Sequence, residues 1–330
     1  AFIGCTSLEH VKINDSIEII NEDTFKGCSN LSNVEISENS NLTTILNSAF
    51  SNCTALNSIN IKNSKIEEIG AYAFNNCTNL TIQNLIEDAT NLTTIGNYAF
   101  SGCNMADYES DSDYSIKLSK NITSIGRGCF LGSGIKWLKI ENDCPLKKIP
   151  DSAFKGCDSL ETINILSPTI TRIDANSFYG CDNLNTVIIT SPIEVIGKSA
   201  FERCYSLEKI ILTYTTIDPY ASNLPNIDLG PLQYFGNILP RQVKNIANRA
   251  FYNCNKLNVV TLSPLNSLTL GDLCFASDNM NVRIFDVFIN SSATSKYISK
   301  KSTQSIFLEV SILSKQSKSP FLQIQLCAII

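Results

Sequence analysis

The stretch from Ile170 to Ile189, ITRIDANSFYGCDNLNTVII, recurs along the chain with its apolar positions kept. Those positions are Ile170, Ile173, Phe178, Cys181, Leu184, Val187 and Ile189. A unit this short cannot bury its own apolar face, so it must stack on its neighbours. The chain is therefore expected to be a repeat solenoid with one continuous core. The repeated Phe falls at Phe2, Phe25, Phe50, Phe74, Phe100, Phe130, Phe154, Phe178, Phe201, Phe251 and Phe275, in steps of 23, 25, 24, 26, 30, 24, 24, 23, 50 and 24. The period is roughly 24 residues, which gives about 11–12 repeats.

Five and eight residues before the Phe stand aliphatic side chains, as in Ile20 with Ile17, Ile69 with Ile66 and Ile246 with Val243. After it, Leu31-x-x-Val34-x-Ile36, Leu160-x-x-Ile163-x-Ile165, Leu207-x-x-Ile210-x-Leu212 and Leu257-x-x-Val260-x-Leu262 end in the two-residue alternation of a half-buried strand. One such strand per repeat is expected, parallel to its neighbours and about 4.8 Å from them. Eleven Phe positions plus one degenerate turn then make a curved body on the order of 50 to 60 Å long.

A net charge of -5 and a pI near 5.1 offer no basic surface for a phosphate backbone, so nucleic acid is excluded as a partner. No apolar run approaches the roughly 18 residues of a membrane span. The chain opens on Ala1-Phe2-Ile3-Gly4-Cys5, already the middle of a repeat. Residues upstream are therefore expected, and the lack of a leader says nothing about secretion. Catalysis is not expected. The only histidine is His10, in a terminal repeat. Gly126-Arg127-Gly128 lacks the third glycine and the helix of a phosphate loop. Glu67 and Glu68 flank a core position and belong to solvated surface. No cofactor is implied, and with no Cys-x-x-Cys pair no zinc site is either.

The pattern I-x-x-I-x-x-x-A-F-x-x-C-x-x-L-x-x-I-x-I, seen as IEEIGAYAFNNCTNL from Ile66 and as IEVIGKSAFERCYSLEKIIL from Ile193, resembles the BspA-type leucine-rich repeat family. The resemblance covers about residues 1–289 and leaves 290–330 as a non-repeat C-terminal tail. It implies a leucine-rich repeat horseshoe with parallel strand ladders. It also implies a surface or secreted protein that adheres to host cells or matrix proteins. An intracellular, cytoplasmic protein–protein interaction scaffold would use the same fold and is the alternative.

Two insertions depart from the pattern, near 104–120 and 214–242. The first carries the acidic run Asp107 to Tyr114, a solvated insertion or a set of oxygen ligands for calcium that lacks the glycine and closing glutamate of a calcium loop. The second holds Tyr214, Tyr220, Tyr234 and Phe235 among Pro219, Pro225, Pro231 and Pro240. These aromatics either pack back on the solenoid over a degenerate repeat or bind a partner.

Nine cysteines, Cys5, Cys28, Cys53, Cys77, Cys103, Cys157, Cys181, Cys204 and Cys254, follow the Phe by three residues and are expected to form a ladder of buried thiols. Cys129 and Cys274 replace the small Ala before a Phe, and Cys144 and Cys327 have no assigned role. Sequons such as Asn30-Leu31-Ser32 and Asn91-Leu92-Thr93 make glycosylation conditional on secretion. Outward strand positions form the candidate partner-binding face, with Lys12, Glu35, Asn60, Trp137 and Lys139, joined by Tyr214, Tyr220, Tyr234 and Phe235 from the second insertion. Trp137 is expected to be exposed. The bare first turn is expected to fray or to associate end to end.

Overall fold

The computed structural model describes residues 1–37, 39–59, 65–80, 86, 90–104, 116–118, 120–212, 243–257 and 269–277. The acidic run 107–114, the Pro- and Tyr-rich stretch 214–242, Cys327 and residues 290–330 lie outside them.

The molecule is a repeat solenoid of parallel strand ladders. Among the described residues, the strands that follow the Phe positions build two long ladders. His10–Ile13, Asn33–Ile36 and Ser58–Ile59 form one sheet, and Ile116–Leu118, Trp137–Ile140, Thr162–Ile165, Thr186–Ile189 and Lys209–Leu212 form another. Equivalent residues pair in register, as in Val34↔Ile59, Leu138↔Ile163 and Ile163↔Val187. Along the ladder inward residues are covered and outward ones are not, so Asn33–Ile36 alternates exposed and buried.

Each turn also contributes a second strand, which the sequence reading did not anticipate. Its two residues end at the Ile five before the Phe, and Ile20↔Ile45, Ile45↔Ile69 and Ile69↔Ile95 pair from turn to turn. Two residues are too few to show an alternation, which is why the pattern hides them. This short ladder is interrupted between Ile125 and Ile149. In other turns the residue after that Ile donates its N–H back to the previous Ile carbonyl, as Gly70 does to Ile45 and Asp174 to Ile149. Pro150 occupies this place after Ile149 and has no N–H to donate.

A column of rings fills the coil. From Phe2 to Phe275 successive Phe rings lie nearly parallel with centroids 5.2–5.7 Å apart. Phe201 stacks directly on Phe251 at 5.2 Å, and Ile196 pairs with Ile246. No degenerate turn stands between them, which corrects that expectation. The 50-residue step from Phe201 to Phe251 therefore advances the column by one turn.

The main chain bends around each Phe from Phe25 to Phe251 through two residues of positive φ, one two before it and one two after. Asp23 and Gly27, Ser152 and Gly156, and Asn176 and Gly180 show the pattern. Successive coils also run very close. A Cβ on Gly126 would sit 2.4 Å from the backbone nitrogen of Asn97.

The thiols point inward and donate to the Phe carbonyl of the previous turn. Cys53 Sγ reaches Phe25 O at 3.1 Å, Cys181 reaches Phe154 O at 3.1 Å and Cys254 reaches Phe201 O at 3.1 Å. Cys5, in the first described turn, departs from the expected ladder and is exposed. Burial pushes the Cys144 thiol up to about 11 and the Cys181 thiol well above its ordinary value. Thiolate formation is thereby suppressed where a labelling reagent cannot reach. Titration with a thiol-specific chromogenic disulfide near pH 8 is expected to modify Cys5 in the native protein and Cys28 to Cys274 only on unfolding. Rapid native labelling of Cys181 would overturn the sealed ladder.

Candidate partner-binding face

The outward residues of the long ladder form two rows, because alternate side chains of a strand leave on one side and the register is kept from turn to turn. In the first sheet His10 lies beside Asn33, and Lys12 beside Glu35. Lys12 Nζ donates to Glu35 Oε1 at 2.9 Å, and that hydrogen bond, with the charge behind it, raises the Lys12 ammonium above its ordinary value. Both side chains are more than half exposed, so the pair adds little to stability.

In the second sheet the rows run Trp137, Thr162, Thr186, Lys209 and Lys117, Lys139, Asn164, Ile188. Here the surface changes character. Trp137, Lys139, Thr162, Asn164, Thr186 and Ile188 are all half-buried, whereas the corresponding residues of Asn33–Ile36 are exposed. Trp137 is thus less exposed than its alternation with Leu138 and Ile140 suggests. The Lys136 ammonium lies 4.5 Å from the Trp137 ring centroid and 3.5 Å from Glu161 Oε1. This cation–π contact holds the indole against the sheet. Glu141 lies between Lys139 at 3.3 Å and Lys117 at 3.4 Å.

The structure thus joins Lys12 to Glu35, and places Trp137 and Lys139 on one strand of a different sheet. Asn60, Tyr214, Tyr220, Tyr234 and Phe235 lie outside the described residues. The sequence reading missed Lys136 and Glu141. Lys136 precedes the strand, and only the coil geometry brings it over the indole. The face is a broad polar surface with one aromatic side chain, Trp137. His10 is exposed on an edge strand. Among the described residues no group of three or more His, Cys, Asp or Glu is placed to hold a metal ion, and no helix is long and apolar enough to cross a membrane.

Residues 1–113, 107–224 and 235–329 match the family model described as BspA type leucine rich repeat region, present in 6 copies. Among solved structures, the chain is similar to a leucine-rich repeat protein from Bacteroides ovatus, with TM-score 0.50 and 20% identity over 95% of this chain and 86% of that one. It also matches a leucine rich cell surface protein from Faecalibacterium prausnitzii, with TM-score 0.41 and 24% identity over 64% and 62% of the two chains. The pneumococcal vaccine antigen PcpA matches with TM-score 0.42 and 14% identity over 93% and 89%. The first of these likenesses concerns the fold alone. No curated protein matches the chain.

Proposed function

Because the chain belongs to the BspA-type leucine-rich repeat family, we propose that it is a protein-binding scaffold that acts at the cell surface or after secretion, in adhesion to host cells or matrix proteins. The observation that supports this most is the half-buried outward face from Trp137 to Ile188, which is held in register by the ladder and carries an aromatic anchor, Trp137, with the Lys136 ammonium over its ring. Large aromatics in such a setting are the side chains that carry most interface energy. No catalytic role is proposed, since His10, the one histidine of the chain, stands exposed on an edge strand.

Two measurements test this reading. An impermeant biotin reagent applied to intact cells that express the full-length protein is expected to label it, and recovery of only unlabelled protein would overturn the surface placement. Trp137→Ala is expected to leave the melting temperature near that of the parent and to weaken binding to immobilised host matrix by about 1–2 kcal/mol, roughly tenfold in Kd. Unchanged binding would remove Trp137 from the interface. Loss of cooperative unfolding would place it in the core.

A further inference from the structure

A second aromatic feature lies in the turn segment, away from the long-ladder face. Two residues before the ladder Phe, successive coils carry Asp23, Ser48, Tyr72, Tyr98 and Gly128, all at positive φ. Their register is fixed by main-chain bonds from Ser48 N to Ala71 O at 2.8 Å, Tyr72 N to Asn97 O at 2.8 Å and Tyr98 N to Arg127 O at 2.9 Å. A bulky side chain is out of place in this backbone region, where Ser, Asn, Asp and Gly fit with less strain. Yet Tyr72 at φ 57° and Tyr98 at φ 55° both stand here. Their rings stack at 5.0 Å with 14° between planes, and Tyr72 is 43% exposed.

The stack is closed at one end and open at the other. Tyr98 lies over Gly128, where an added Cβ would come within 2.4 Å of the ring. On the far side of Tyr72 the equivalent residue is Ser48, so one ring-height of the column has no ring in it. The residues next to Ser48 and Tyr72 in the chain are tied together by polar groups. Asn47 Oδ1 accepts the Ala71 N–H at 2.8 Å beside Tyr72, and its Nδ2 donates to the exposed Glu22 Oε1 at 2.9 Å. The Ser48 hydroxyl has no partner among the described residues.

We infer that Tyr72 is the floor of a carbohydrate subsite that takes one pyranose ring between it and Ser48. A pyranose has an apolar C–H face to lie on the tyrosine and an equatorial edge of hydroxyls to meet the Asn47 amide, the Glu22 carboxylate and the Ser48 hydroxyl. An aromatic side chain of a partner protein would cover the ring equally well, but would make no use of the second N–H of Asn47, the other oxygen of Glu22 or the Ser48 hydroxyl, each of which can still bond to a sugar hydroxyl. The subsite does not depend on the binding role given to Trp137.

Saturation-transfer NMR on the full chain, with lactose, cellobiose and di-N-acetylchitobiose as probes, tests the assignment. Transfer to the ring C–H protons of at least one disaccharide is expected. It should fall at least about fivefold in Tyr72→Asn, which tolerates the left-handed backbone, and persist in Tyr72→Phe and Trp137→Ala. Melting curves of Tyr72→Asn and the parent should overlay, and Tyr72→Gly repeats the test if they do not. The subsite is overturned if no disaccharide receives transfer, if transfer survives both Tyr72→Asn and Tyr72→Gly, or if it is lost in Trp137→Ala. It is also overturned if N-acetyltyrosinamide alone receives transfer, which would make the gap a slot for protein aromatics.

Discussion

Phe178→Ala is expected to cost about 3–5 kcal/mol and to split the unfolding transition. Phe178 is fully buried, with Phe154 at 5.3 Å on one side and Phe201 at 5.2 Å on the other. Truncation removes the transfer energy of the ring, leaves a void that the tightly bonded main chain cannot close, and deprives two neighbours of a stacking partner. In a solenoid each coil touches only the next, so a gap at one coil weakens the coupling between the coils before and after it. Urea unfolding followed by circular dichroism should show a lower midpoint and a broader or two-step transition. Phe2→Ala offers the contrast. Phe2 is 46% exposed at the end of the column with one stacking neighbour, Phe25, and its truncation should cost under about 1 kcal/mol. Equal costs at the two positions would deny that the column carries the stability.

That column was legible in the sequence because core side chains have no choice of environment. The Phe, the Cys three later and the Leu six later recur at one spacing, and from Phe25 to Leu257 those that stand there are sealed where the spacing puts them, whereas Phe2, Cys5 and Leu8 of the first described turn are not. The short ladder was not legible. Its hydrogen bonds are main-chain bonds that most residues can make, and the sequence shows it only through the residue that breaks it, Pro150. The direct stacking of Phe201 on Phe251 was equally hidden, since a 50-residue step fits one coil with extra chain as well as two coils.

The candidate face was less legible than the core. Alternation places Trp137 on the outside of its strand, and it is there, but how far it is covered depends on Lys136, whose side chain follows the coil rather than the strand. Tyr72 and Tyr98 escaped notice for a related reason. In sequence they are two aromatics 26 residues apart. Only the backbone at positive φ brings them together on the surface instead of in the core. Outward residues are under no packing constraint that a single sequence records, so the spacing fixes where they stand and says little about what they touch.

The other large effect is expected at the junction between the coils of Phe201 and Phe251. Arg249 grips Glu202 with two bonds, from Nε at 3.0 Å and from Nη2 at 2.6 Å, across 47 residues of sequence. The Glu202 side chain is 5% exposed, and the guanidinium carbon also lies 3.9 Å from the Tyr252 ring centroid. Arg249→Ala would strand a carboxylate away from water. Since Arg249 itself is partly open to solvent, the expected loss is about 2–3 kcal/mol, below that of a fully buried pair. The pH dependence separates this cause from lost packing. Burial pushes the Glu202 carboxyl up, but the bonds from Arg249 and Ser199 and the nearby Arg203 outweigh it and hold the group below its ordinary 4.5. A depressed carboxylate stabilises the fold above the unfolded value, and that contribution is lost as pH falls below 4.5 toward the folded value. In Arg249→Ala only the weaker partners remain against burial, so the group should titrate higher and protonation should relieve it. Stability differences between parent and variant, from urea unfolding at pH 7 and pH 4, should therefore narrow on acidification. A difference that stays constant would mean that Arg249 acts through its contact with Tyr252 and not through its charge.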